Sequence, residues 1–523
     1  MSHTRLLESA DSDSDQSEPE SDQCADPTDL VTDTIGSFGP YQLWLCLLGF
    51  LLNVVHCWLS LSLKFVGLVP KFVCGEGDSP GEDACLTYIG NTTRPCTSFV
   101  FSKEEVVGTI VERWGLVCDK AGLENVAQSV FFTGCLVGVF LAGLMADLMG
   151  RKVVCVVLVI TFLISGVLGG LVNSWYLWLL LRFVVGAASI GMVTVRYTIQ
   201  VEMIGGKWRS WANTLTSTGW VVGYMTLPML AYIVPDMRQM EVLLGLAISP
   251  LLLLLVFCHP ESPRWLLARG KVDRAVTILN RVASWNRKRK IISEEHLLKF
   301  LNSQSTVVTS TKPVASSGLS SLFTSKFPTT RLNLFLMCFC WFSFGMAYFG
   351  LALHTPELGS NVFVVFFIGG LMDVPVIIVG PFLLNHCGRK PCMVGGLLLG
   401  SICLLATSLL SSTSQVIIVM AILGKMGVGM AFDTGYVWTS EMFPTVIRNS
   451  SLATCSSFAR LGAIIAPLVV FTNMSLLVYG VVAMIGGLGS LWLQPETKDC
   501  SVLPDTLEEG EVAAGTRRRG EKI

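Results

Sequence analysis

Glu202-Met-Ile-Gly-Gly-Lys-Trp-Arg209 and Glu441-Met-Phe-Pro-Thr-Val-Ile-Arg448 read as one element written twice. Each opens on Glu-Met and places an Arg seven positions after the Glu, and the two copies are offset by 441 − 202 = 239 residues. Gly150-Arg151-Lys152 returns as Gly388-Arg389-Lys390 at an offset of 238, and Pro260-Glu261-Ser262 returns as Pro495-Glu496-Thr497 at 235. One such pair alone is weak. Three pairs in the same order, at nearly one spacing, mark a duplicated unit.

What lies between the repeats is apolar. Hydrophobic residues make up 52% of the 523-residue chain and charged residues only 14%, against about 25% charge in an ordinary soluble domain. The apolar residues come in runs near the roughly 20 residues that span a bilayer. Twelve runs are expected to cross: 42–64, 126–146, 153–172, 175–197, 211–233, 241–259, 332–353, 361–385, 391–411, 415–440, 450–472 and 475–494. Orientation follows from the basic residues of the connections. The connection 260–331 carries 13 Lys/Arg against 4 Asp/Glu, and the tight turns holding Arg151, Lys207, Arg389 and Arg448 are basic on the same side. The loop 68–125 on the opposite side has five basic and nine acidic residues. The basic side is therefore expected to be cytoplasmic, with both termini inside.

Two six-span units repeated in parallel describe the major facilitator arrangement. The expected fold is all-α: twelve transmembrane helices in two six-helix bundles, residues 41–259 and 332–494, joined by a cytoplasmic linker at 260–331. An acidic, disordered N-terminus (1–40) and a polar tail (495–523) flank them, both expected to be solvated. Such bundles rock about a midplane site. The repeated charges fall at the cytoplasmic ends of helices, so Asp147, Arg151, Glu202, Arg209, Arg389, Glu441 and Arg448 are expected to act as a gate, pairing across the two bundles.

The outer loop holds Cys74, Cys85, Cys96 and Cys118, with the sequon Asn91-Thr92-Thr93. Four cysteines and a glycan acceptor suit an oxidising exterior. Three pairings are open.

Gly143-Leu-Met-Ala-Asp147-Leu-Met-Gly150-Arg151-Lys152 resembles the loop 2–3 signature of the major facilitator superfamily. Pro260-Glu-Ser-Pro-Arg-Trp-Leu266, Glu441-Met-Phe-Pro-Thr-Val-Ile-Arg448 and Trp114-Gly-Leu-Val-Cys118-Asp119 are similar to motifs of its organic cation, anion and carnitine transporters. The resemblance covers residues 35–505 and implies polyspecific transport of small organic ions across the plasma membrane. Three departures accompany it. The outer loop has four cysteines where six are common, Gly115 stands where an acidic residue is usual, and no Lys lies near Ile377, where anion-transporting members carry one in span 8.

Charges inside spans are costly and face a cavity or a partner. Arg460 in span 11 occupies a position that, by resemblance, is Arg in the anion and carnitine branches and Asp in the cation branch. Asp433 lies eight residues after Lys425 in span 10, too far along the helix for a direct bond. Asp373 precedes Pro375 in span 8, and Arg196 ends span 4. Together they point to a zwitterion site, with Arg460 gripping a carboxylate and Asp433 or Asp373 attracting an ammonium. Trp220, Trp341, Tyr348 and Tyr436 are candidates to face a quaternary ammonium. His56 and His354 sit near the outer ends of spans 1 and 7.

A net charge of −1 gives no basis for a nucleic-acid partner. No nucleophile–base pair, phosphate loop or metal-ligand spacing appears, so neither an enzyme nor a cofactor is expected. The expected partners are a small organic ion and the lipid bilayer; no motif reports sodium or proton coupling.

Overall fold

The computed structural model describes residues 30–498 apart from several loop stretches (76–78, 81–84, 90–91, 103–107, 206–207, 355–360, 410–414, 445–446 and 471–473), most of 247–258 and the segment 289–326, and adds residues 511–512. Helices carry the architecture, because a bilayer leaves no water to satisfy an unpaired backbone. In the first half these are α1 (Pro40–Leu61), α2 (Leu123–Met149), α3 (Arg151–Leu171), α4 (Trp175–Met203), α5 (Trp208–Ile233) and α6 (Met237–Leu246). A short helix, α7 (Val272–Trp285), lies in the linker. The second half holds α8 (Pro328–His354), α9 (Val362–Leu371), α10 (Asp373–Cys387), α11 (Arg389–Leu409), α12 (Gln415–Met442), α13 (Arg448–Val469) and α14 (Ser475–Ser490). Among the described residues, nine helical segments of 20 to 32 residues are long and apolar enough to cross a membrane. Span 8 is interrupted at Met372. Pro375 explains the break: it donates no N–H and crowds the carbonyl four residues back.

Within each half, small residues let backbones close up. A Cβ on Gly134 or Gly138 of α2 would lie 2.1 or 2.3 Å from the carbonyl oxygens of Phe183 and Ala187 in α4, and one on Gly186 would lie 2.3 Å from that of Phe131. Such approach is how helices associate where lipid is as apolar as leucine. The two halves meet through α2 against α13 and α5 against α9.

The loop after α1 folds into two antiparallel sheets. β1 (Phe72–Cys74) pairs with β5 (Phe99–Phe101), and β3 (Leu86–Ile89) joins β2 (Ser79–Pro80) to β4 (Thr92–Pro95). Of the three possible pairings the fold takes Cys74–Cys96 and Cys85–Cys118. Gly115 ends the short helix Ile110–Trp114 at φ 60°, a left-handed position that favours glycine over the acidic residue usual there. Asn91 lies outside the described residues.

Both tails depart from the solvated reading at one point each. Leu30–Ile35 forms a helix with Val31 and Ile35 buried, packed on α7, because its apolar residues share one buried cluster with Leu279 and Val282 of α7. In the C-terminal tail, the Glu511 carboxylate accepts the Thr329 and Thr330 N–H groups at 2.8 Å each and the Thr330 hydroxyl at 2.7 Å. The first N–H groups of a helix have no partner inside it, and Glu511 supplies one for α8.

Candidate functional site

The repeated motifs build two copies of one device. Gly150 sits at φ 108°, just before α3, and Gly388 at φ 98°, just before α11. Each turn aims the first N–H groups of its helix at a returning carboxylate. Glu261 accepts from Arg151 N at 2.9 Å and Lys152 N at 3.1 Å. Glu496 accepts from Arg389 N at 3.0 Å and Lys390 N at 2.8 Å. The helix dipole adds to both contacts. The Arg of each turn then pairs with the Glu of the Glu-Met element: Arg151 with Glu202 at 3.1 Å and Arg389 with Glu441 at 2.9 Å. Thr497 donates its hydroxyl to Glu441 at 2.6 Å.

These pairs lie within each half, because packing of α2 and α3 on α4 brings the Arg turn beside Glu202. Asp147 forms an exposed i,i+4 pair with Arg151 at 3.1 Å. Arg448 donates to its own Phe443 carbonyl at 3.3 Å, and the Arg209 side chain is outside the described residues. Glu261 and Glu496 are missed by sequence reasoning as functional groups, although the Pro-Glu-Ser and Pro-Glu-Thr repeat carries their signal.

Contacts joining the two halves gather toward the disulfide-bearing end. Phe65 of the first half stands 5.3 Å from Phe363 and 5.0 Å from Phe366 of the second, Tyr224 stacks on Phe366 at 4.3 Å, and Phe132 meets Phe349 at 4.8 Å. Ser129 donates to the Ile464 carbonyl at 2.7 Å. This closure was not legible in advance, since isolated phenylalanines in apolar runs carry no signal.

Beneath the closure, four of the eight predicted substrate residues share one network. The Trp220 indole donates to the Tyr348 hydroxyl at 3.0 Å, and that hydroxyl donates to Asp373 Oδ2 at 3.0 Å. Lys425 Nζ donates to the same oxygen and to the Gly369 carbonyl, both at 2.8 Å. Asp373 is 6% exposed and Lys425 2%. The two charges thus satisfy each other, as burial demands.

The other four residues lie apart from this network. Trp341 is fully buried with its indole on Thr439 at 3.0 Å, and its ring meets Tyr436 at 4.6 Å. Tyr436 is 42% exposed, and Asp433 three residues earlier is exposed too. Arg460 is half-buried and donates to the Ser456 carbonyl and hydroxyl; no carboxylate among the described residues pairs with it. His56 lies against Ser189 at 3.3 Å and 5.7 Å from the Trp220 ring. Arg196 is turned into the first half and bonds Gln200, whereas His354 closes α8. Sequence reasoning also missed Arg182, buried between the Phe131 and Trp178 rings and 4.0 Å from Glu241. An Arg in the middle of the apolar run of span 4 was the available signal.

A family model described as "Sugar (and other) transporter" matches residues 119–502. The chain is 30% identical to the "Organic cation transporter protein" of Drosophila melanogaster over 92% of its own length and 94% of that protein's. It is 33% identical to human "Solute carrier family 22 member 12" over 80% of this chain and 75% of that one. Among solved structures, the inward-open xylose transporter XylE from E. coli superposes with a TM-score of 0.63 at 17% identity, covering 90% of this chain and 98% of that one. With the duplicated caps, the paired halves and the buried charges in place, the chain belongs to the solute carrier 22-type organic ion transporters of the major facilitator superfamily.

Proposed function

We propose that this transporter carries small organic cations or zwitterions of the carnitine kind across the plasma membrane by alternating access, with both termini cytoplasmic. One observation carries the substrate class. Asp373 and Lys425 neutralise each other, which leaves the exposed Asp433 and the half-buried Arg460 as charges without an ion-pair partner among the described residues. A carboxylate and a guanidinium left unpaired inside the spans suit a solute bearing both signs, and Arg adds a planar fork for a carboxylate. Tyr436 and Trp341 stand beside Asp433 on the same helix or against it. Contacts gathered at the disulfide-bearing end support an inward-open resting state, in which solute exchanges with the side of the basic loops.

A second reading, organic anion transport, draws support from Arg460 and from neutralisation of Asp373. Uptake of labelled carnitine, tetraethylammonium and aminohippurate, with and without sodium, separates the two and reports the coupling ion. Carnitine and tetraethylammonium are expected to enter, and Arg460→Asp is expected to abolish carnitine uptake while sparing tetraethylammonium. Carnitine uptake left intact by Arg460→Asp sinks the zwitterion reading, and aminohippurate entering alone favours the anion. Binding without movement of solute into reconstituted vesicles would make the chain a receptor that kept the fold.

A further inference from the structure

Four groups surround the Lys425 ammonium: the Asp373 carboxylate and the Gly369 carbonyl at 2.8 Å, the Tyr224 ring with its centroid at 3.9 Å, and the Tyr348 ring at 5.2 Å. A carboxylate, a carbonyl and two aromatic faces are what a protein builds to hold a desolvated organic ammonium. Here the chain's own side chain fills the place. Two of the three N–H donors go to oxygens, which leaves the third for the Tyr224 face. The break at Met372 lies between the residues that supply the two oxygens, and Tyr348 is held in turn by the Trp220 indole at 3.0 Å.

We propose that this is an ammonium-binding cage auto-occupied by Lys425, a tethered cation that bars free primary amines from Asp373. The cage also straddles the halves. Tyr224 comes from α5 of the first, whereas Gly369, Asp373, Tyr348 and Lys425 come from the second. Its full set of contacts exists only while the disulfide-bearing end is closed, so occupancy of the cage favours that closure. The inference rests on the cage geometry, and it stands or falls separately from the identity of the transported solute.

Lys425→Ala removes three methylenes and the ammonium, the atoms of propylammonium. The purified full-length variant is expected to gain thermal stability with millimolar propylammonium, with a midpoint shift of several degrees that wild type does not show. Propanol, which matches the volume without the charge, is expected to give no shift. Neither is tetramethylammonium, which has no N–H to donate. The double variant Lys425→Ala/Asp373→Asn, which leaves no charge in the cage, is expected to fold and to ignore propylammonium. Equal stabilisation by propanol, or a response surviving in the double variant, overturns the cage. If the single variant is not recovered from cells, propylammonium in the culture should restore its yield; failure to do so also overturns it.

Discussion

Replacing Gly150 by Ala tests whether the duplicated motif works as a helix cap. At φ 108° any side chain pays for a sparsely populated backbone, about 1–3 kcal/mol. The added Cβ would also lie 2.5 Å from Glu261 Oε2, closer than any real contact. The Glu261 carboxylate must then shift, weakening its bonds to the N–H groups of Arg151 and Lys152 by up to the cost of a lost cap, about 0.5–2 kcal/mol. Together these give roughly 1.5–5 kcal/mol. Gly388→Ala shares the backbone strain, at φ 98°, but its Cβ would meet Glu496 at 3.2 Å, where a small shift of the carboxylate suffices. The first substitution should therefore be the worse of two that look identical in sequence. Thermal unfolding of the purified full-length protein in detergent measures both. Gly150→Ala matching wild type, or Gly388→Ala being the more damaging, would refute the capping argument.

Because the Arg–Glu pairs lie inside each half, Arg151→Ala and Glu202→Gln should couple in a double-mutant cycle by about 1 kcal/mol, the scale of a partly buried charged hydrogen bond. Arg151→Ala and Glu441→Gln should add independently, and coupling there would show that the two elements also interact across the bundles. Mass mapping of the unreduced protein should find Cys74 joined to Cys96 and Cys85 to Cys118; any other linkage contradicts the sheet topology. Glu511→Ala should cost about 1 kcal/mol, as for other caps. Burial pulls the Glu511 carboxyl up, but hydrogen bonds from Thr329 and Thr330 prevail and hold it below its usual value of 4.5. A depressed carboxyl stabilises the fold above the unfolded pKa and loses that contribution as pH falls through the folded one. The difference in stability between wild type and Glu511→Ala should accordingly be full at neutral pH and vanish in acid below 4.5; a difference that persists there would show that the carboxylate is not the cap.

Hydropathy, the basic loops and the repeat at offsets of 235 to 239 residues determined the helices, the two halves and the family. Those properties follow from bilayer thickness and backbone satisfaction, which act on local sequence, and from duplication, which copies it. Partner choice is different. Glu202 reads as a group free to cross the bundles until the packing of α2 and α3 on α4 places Arg151 3.1 Å away. Asp373, Lys425 and Tyr348 are legible as costly polar groups in apolar spans, yet nothing in their spacing says that they bond one another. That depends on α8, the broken span 8 and α12 meeting side by side, and on Tyr224 arriving from the other half. Sequence alone sets which groups must find a partner inside the membrane; only the tertiary structure decides which partner, because a buried charge is satisfied by whatever the packing brings within 3 Å and not by its neighbours along the chain.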